Sequence, residues 1–197
     1  MIGIVTVVVI GIVALSAMSS AAVAEPTIIV PIPDTAEAHL YYNAVYEALG
    51  RAKRSIHIVM QRMTYYTEFP DSLSNRLIDG LVAAVERGVE VRVILERSDF
   101  SESINASNEA VARYLGEHGV EVRFESVEVT TNVRLVLIDG ETVILGSTTW
   151  SYYPLERNNE VNLMIENNAE VASVFEQFFE QIWGASSAGL SPSALTI

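Results

Sequence analysis

Cysteine is absent from the 197 residues, so neither a disulfide framework nor a thiolate-held metal is open to this chain. Histidine is scarce as well. His39, His57 and His118 are scattered, which argues against a histidine-rich metal site, and no metal or other cofactor is expected. Lysine is nearly missing: Lys53 stands beside eleven arginines and twenty-five acids, for a net charge of -13. A surface this acidic repels polyanions, whereas nucleic-acid binders draw most of their affinity from neutralised phosphates, so tight nonspecific DNA binding is not expected. The acidity suits a solvated surface in a salty environment. No Gly-x-Ser-x-Gly turn occurs, which removes the main support for a Ser/His/Asp hydrolase. Nothing in the middle of the chain has the composition of a linker, and the two halves do not repeat, so one domain is the expectation.

Charge is also lacking from the first 24 residues, MIGIVTVVVIGIVALSAMSSAAVA. Their apolar run and the small residues before Glu25 read as an export signal with an Ala-Val-Ala cleavage site, although the basic leading segment is missing. Left uncleaved, the same stretch is a membrane anchor, since about 20 apolar residues span a bilayer. Both readings put residues 25–184 outside the cytoplasm as a secreted or anchored domain, with possible membrane association through residues 1–24. The small, polar residues 185–197 are expected to be a disordered tail.

What is present is an alternation of strand and helix patterns. TIIVPI (27–32) reads as a strand, and Asp34 with Glu37 forms a capping box for a helix burying Leu40, Ala44, Val45, Ala48 and Leu49. SIHIVMQRM (55–63) is a strand, and 72–88 a helix with Leu77, Leu81, Val82 and Val85 inward and Gly88 ending it. VEVRVIL (89–95), a helix over 108–118, and VEVRFE (120–125) continue the pattern, followed by the strand EVNLMIE (160–166). The last helix starts at Asn168 and buries Val171, Val174, Phe175, Phe178 and Ile182. This order predicts an α/β/α sandwich with a mixed central sheet.

Between these elements lies NVRLVLIDGETVILGSTTW (132–150), two apolar runs around an Asp-Gly turn in the manner of a β-hairpin. Taken alone, Asp139 is the first residue of a type I' turn. In its spacing, however, the stretch resembles the phospholipase D superfamily, particularly small single-motif members such as secreted endonucleases and mitochondrial cardiolipin hydrolases. Their signature is His-x-Lys, four residues, Asp, six residues, then Gly-Ser-x-Asn, with an Asn-Glu pair downstream. Here Arg134, Asp139, Gly146-Ser147 and Asn159-Glu160 keep that spacing, and the likeness extends over about residues 37–183.

The resemblance implies that a His and its twin from a second motif serve as nucleophile and general acid. Lys and Asn would hold phosphate oxygens, and Asp would orient the imidazole. In this chain Asn132 stands at the His position, Arg134 at the Lys and Thr149 at the Asn after Gly-Ser. A carboxamide neither titrates near neutrality nor has a comparably nucleophilic nitrogen, so the implied chemistry is lost at Asn132. Arg134 keeps the charge and can grip a phosphate in a fork. The expectation is therefore a homologue of phosphodiesterases with impaired catalysis, using Arg134, Ser147, Thr149 and Asn159 to bind a phosphate or phosphodiester. Asn132, Arg134, Asp139 and Glu160 occupy the ancestral catalytic positions. The favoured ligand is a lipid or small diester rather than DNA, and the family's single-motif members imply a homodimer. An active phosphodiesterase with a different nucleophile, or with a water held by Glu160, is one alternative; an exported structural or interaction protein is another.

Two aromatic groups complete the candidates. Arg62 with Tyr65-Tyr66 falls just past a strand end, a favoured ligand position in α/β sheets. Trp150, Tyr152 and Tyr153 follow the Gly-Ser turn, to contact a ligand or a second copy.

Overall fold

The computed structural model describes residues 25–188; the expected signal or anchor at 1–24 lies outside them. The chain begins β1 (Ile28–Asp34), α1 (Leu40–Arg51), β2 (Ser55–Met60), α2 (Leu73–Glu86), β3 (Glu90–Leu95), α3 (Glu102–Glu117) and β4 (Glu121–Phe124). It continues with β5 (Arg134–Ile138), β6 (Thr142–Gly146), the short α4 (Tyr152–Glu156), β7 (Glu160–Glu166), α5 (Ala169–Ala185) and β8 (Ser187–Ala188). All eight strands form one mixed sheet in the order β1-β7-β6-β5-β2-β3-β4-β8. β2, β3 and β4 run parallel because a helix carries the chain back between them. The hairpin and its neighbours are antiparallel.

Side-chain alternation decides the layers. Along β2, Ile56, Ile58 and Met60 enter a core shared with α1, α2, α3 and α4, whereas Val59 joins a second core beneath α5. β5 repeats the division, with Val136 and Ile138 on the first side and Leu135 and Leu137 on the second. Burying one such side chain contributes about 1.5–3 kcal/mol, so the four-helix side carries most of the apolar stabilisation. The outcome is the expected α/β/α sandwich.

The structure corrects several sequence expectations. Asp34 ends β1 rather than capping α1 in a box with Glu37, and His39, in a left-handed conformation (φ 48°), precedes the helix. Asp34 still satisfies the helix start, accepting the N–H groups of Leu40 and Tyr41 at 2.9 and 3.0 Å. On α1, Val45, Ala48 and Leu49 are buried as expected, but at the start of the face Leu40 is exposed and Tyr41 is buried instead, its hydroxyl accepting from Trp150 Nε1 at 3.1 Å. α3 starts at Glu102, capped by Ser101, six residues before the expected start, because its polar first turns carry no apolar period. On α5, Val174 and Phe178 are exposed, and Ala172, Phe179 and Trp183 are buried instead. The tail, expected to be disordered from 185, first completes α5 and then adds β8 to the free edge of β4. An open strand edge presents backbone groups that a following segment can pair whatever its side chains. Residues 189–197 lie outside the described residues. No helix among the described residues is long and apolar enough to cross a membrane.

Candidate functional site

The carboxyl ends of β2, β3 and β4 share one edge of the sheet with the start of β5, the end of β6 and the start of β7. Such an edge is where open α/β sheets place ligands. Arg134 opens β5 opposite Met60, and two neutral carboxamides hold its guanidinium: Nη1 donates to Asn132 Oδ1 and Nη2 to Gln61 Oε1. Its Nε is buried and lacks a partner among the described residues. Burial pulls the Arg134 guanidinium below the usual arginine range, and the charge of Glu160 offsets part of that effect. It remains a cation at any physiological pH.

Ser147 and Glu160 meet across β6 and β7. Ser147 Oγ donates to Glu160 Oε2, and Asn158 Nδ2 donates to Glu160 Oε1 at 2.9 Å. Gly146 makes this approach possible, because a Cβ there would lie 2.2 Å from Asn162 Oδ1 and 2.5 Å from the Val161 carbonyl oxygen. Asn162, buried in β7, then fastens the next residue: its Oδ1 accepts the Thr148 N–H at 3.3 Å, and its Nδ2 donates to Thr148 Oγ1 at 2.9 Å.

Of the sequence-predicted residues, Asn132, Arg134, Ser147 and Glu160 therefore gather at one edge. Asp139 does not. It sits at the turn on the far end of β5, roughly 15 Å from Arg134 at about 3.3 Å per residue. Its carboxylate accepts the N–H groups of Lys53, Arg54 and Ser55 at 3.0, 2.6 and 3.0 Å. Burial pushes that carboxyl up, but those N–H groups and the Arg54 charge outweigh it and hold Asp139 below the usual aspartate range. With φ of 57° at Asp139 and 65° at Gly140, both turn positions are left-handed, as the type I' reading required. The implied orienting role is thus replaced by a structural one: Asp139 pins the α1–β2 loop to the hairpin. Thr149 is not part of this hydrogen-bond cluster. It is buried, with Oγ1 3.1 Å from Ser151 Oγ, and makes no hydrogen bond to Arg134, Ser147 or Glu160 among the described residues. Asn159 is exposed, and its neighbour Asn158 supplies the bond to Glu160.

The histidines are occupied elsewhere. His39 Nδ1 donates to the Leu155 carbonyl at 3.0 Å, and His118 Nδ1 donates to the Tyr114 carbonyl at 2.7 Å. His57 is stacked on Phe179 with Glu176 2.7 Å away. Among the described residues no imidazole hydrogen-bonds to the Arg134 cluster, and no group of three His, Asp or Glu is placed to hold a metal ion.

Three residues at this edge escaped the sequence reading. Gln61 lies one residue past β2, and only its register against β5 reveals that it faces Arg134. Asn158 looked like part of an undistinguished polar loop. Glu96, the residue after β3, is buried, with Oε2 accepting the Thr131 N–H and Oε1 unpartnered among the described residues. Burial raises its carboxyl above the usual glutamate range; the Thr131 bond opposes this, and the charges of Glu125 and Asp99 add to it. A charged residue in the run VILERSD carries no local sign that it will be enclosed.

Between the segment before α2 and α4 opens a cleft of about 830 Å³, lined by Arg62, Tyr66, Phe69, Tyr152, Tyr153 and three acids. Trp150, grouped with these aromatics in the sequence, is fully buried in the core instead.

A family profile described as "Cardiolipin synthase, PLD-like domain" matches residues 45–183. The mitochondrial cardiolipin hydrolase of Xenopus tropicalis is 26% identical over 153 residues, covering 78% of this chain and 64% of that protein. A phospholipase D of Rickettsia prowazekii is 25% identical over 137 residues, covering 70% of this chain and 60% of that protein. The chain thus spans less than two thirds of the length of these relatives. Among solved structures, Nuc from Salmonella typhimurium, a phospholipase D family member, superposes with a TM-score of 0.70 at 21% identity, covering 83% of this chain and 98% of Nuc. NucT from Helicobacter pylori gives a TM-score of 0.62 at 18% identity, over 84% and 99% of the two chains. With the profile spanning most of the chain and the fold shared, this protein belongs to the phospholipase D superfamily.

Proposed function

We propose that this domain binds a phosphate or phosphodiester group at Arg134 and that its turnover is strongly impaired by Asn132. One observation carries the reading: in a chain with twice as many acids as bases, Arg134 is held by two neutral carboxamides and keeps a buried donor without a partner among the described residues. Glu160, the acid whose charge reaches it, is already engaged by Ser147 and Asn158. A guanidinium so placed favours a bidentate oxyanion. The diester is a lipid or small molecule rather than DNA, given the charge of -13. The working unit is a homodimer that brings two Arg134 edges together outside the cytoplasm, secreted or held by residues 1–24.

Inorganic phosphate or tungstate should raise the melting temperature of the wild type and leave that of Arg134→Ala unchanged, because a ligand stabilises by mass action only the state that binds it. Equal shifts in both proteins would refute the site. The triple change Asn132→His, Arg134→Lys, Thr149→Asn should restore cleavage of an aryl phosphodiester. The active alternative, a water held by Glu160, draws on the placement of that carboxylate near the Arg134 charge; it requires wild-type hydrolysis that Glu160→Ala abolishes.

A further inference from the structure

The loop from β4 to β5 delivers Asn132 to the sheet edge, and little holds it there. Its two bases are fixed, by Glu125 N–H to the Leu95 carbonyl and Gln61 N–H to the Val133 carbonyl, both at 3.0 Å. Between them, Ser126, Glu128 and Val129 bond only to Glu125 and Ser126, within the loop's own first residues. Two bonds reach beyond the loop among the described residues: Thr131 N–H to Glu96 Oε2, and Arg134 Nη1 to Asn132 Oδ1. Glu96 itself is clamped. Its N–H donates to the Met60 carbonyl at 3.3 Å, and its carbonyl accepts from Asn108 Nδ2 at 2.8 Å. Asn108, buried on α3, also donates to the Gln61 carbonyl and accepts the Met63 N–H, each at 2.9 Å, so the ends of β2 and β3 are locked together.

The Glu96 carboxyl is enclosed without a counter-charge. Its Oε1 has no partner among the described residues, and the charges that face it, those of Glu125 and Asp99, have its own sign. The adjacent cation is turned away, since Arg97 lies over the Phe124 ring at 4.5 Å and 3.4 Å from Glu109 of α3. From α3 it meets the neutral Asn108, from β2 the Met60 carbonyl, and Glu128 in the loop is exposed. An unpaired buried carboxylate is costly, and hydration relieves that cost. With the strands locked, only the loop can give way to water. We infer that Glu96 is a positioning residue that latches the β4–β5 loop while protonated and releases it on ionisation, so that acid presents Asn132 to Arg134 and neutral pH withdraws it. The sign follows from the surroundings: burial raises the carboxyl above the usual glutamate range and outweighs the Thr131 N–H, which favours the ionised form. The closed loop therefore holds its proton more tightly, and closure is lost as pH rises through the folded-state value. The latch stands without the phosphate reading; only its effect on anion binding rests on that reading.

Hydrogen exchange at the Thr131 amide of the full chain, taken relative to an unstructured peptide at each pH, tests the latch. Wild type should be protected in acid and lose roughly tenfold of that protection by neutral pH, while Leu135 and Val136 in β5 keep theirs. Glu96→Gln retains an acceptor, has no charge to bury, and should protect Thr131 at every pH. Glu96→Ala removes the acceptor and should leave Thr131 unprotected at every pH, with the β5 amides reporting an intact fold. A merely structural role would give both variants the same loss. Constant protection in wild type, or a loss in Glu96→Gln that matches wild type, would overturn the inference. Dimethyl phosphate, which stays monoanionic across this range, reads the consequence by calorimetry. Its wild-type affinity should fall with the closed fraction, about tenfold where one molecule in ten stays closed, and should stay level in Glu96→Gln. If Thr131 follows the expected pattern but dimethyl phosphate binds neither protein, the phosphate reading fails alone. If dimethyl phosphate binds both proteins alike and Thr131 protection never changes, the latch fails alone.

Discussion

At the Gly-Ser turn a single hydrogen decides the geometry. A methyl group at position 146 would overlap Asn162 and the β7 backbone, so Gly146→Ala should destabilise the protein by roughly 1–3 kcal/mol, read from urea unfolding. Asp139 is a second such point. Asp139→Asn keeps a residue that tolerates the left-handed turn and an Oδ1 that still accepts from Arg54 and Ser55, but it turns the Oδ2 acceptor of the Lys53 N–H into a donor and removes the charge, at a cost of roughly 1–3 kcal/mol. Because the native carboxyl lies below its usual range, its contribution is present at neutral pH and is lost as pH falls through the folded-state value. Stability of the wild type should therefore decline more steeply in acid than that of Asp139→Asn. Glu96 has the opposite sign. Its raised carboxyl binds a proton more tightly folded than unfolded, so its contribution is greatest in acid and is lost as pH rises through the folded-state value. Glu96→Gln should abolish that loss, and thermal melts of both proteins across the acid-to-neutral range would show it.

At the scale of elements, α5 is the informative one, because among the described residues it is the one helix on its face of the sheet. It buries Ala172, Phe179 and Trp183 and leaves the apolar Val174 and Phe178 exposed. Phe179 stacks on His57, and Arg92 lies over Phe179 and Trp183 at 5.1 and 5.2 Å, which turns the helix so that Val174 and Phe178 face solvent. Phe179→Ala should cost roughly 3–5 kcal/mol, while Val174→Ala should stay within about 0.5 kcal/mol of wild type. Comparable losses at both positions would mean that the apolar period, and not the His57–Arg92 layer, sets the orientation. The hairpin needed no such help, since its alternation and its Asp-Gly turn agree with each other.

For the whole molecule, charge is the governing quantity. A body of net charge -13 offers a DNA duplex little beyond the Arg134 edge, so retention on DNA should be weak even at low salt, and gel-shift titration would check it. If the homodimer forms, its interface must join two acidic surfaces, and its affinity should increase with salt as their repulsion is screened. Sedimentation at two ionic strengths would reveal that dependence.

Periodicity and spacing were enough to identify seven of the eight described strands, four of the five described helices and the mixed sandwich, because burial selects apolar residues at fixed intervals and turns select Gly and Asp. The superfamily was legible from Arg134, Asp139, Gly146-Ser147 and Asn159-Glu160 for the same reason: relative spacing is a local property. Partners were not. Asp139 and Glu160 look alike in the chain, yet one, roughly 15 Å from Arg134, ties down the α1–β2 loop and the other meets Ser147 across two strands. Which acid is enclosed, which arginine is left with neutral neighbours, and which tyrosines turn outward depend on strand register and helix rotation. Those are settled by contacts between residues tens of positions apart, and only the folded chain contains them.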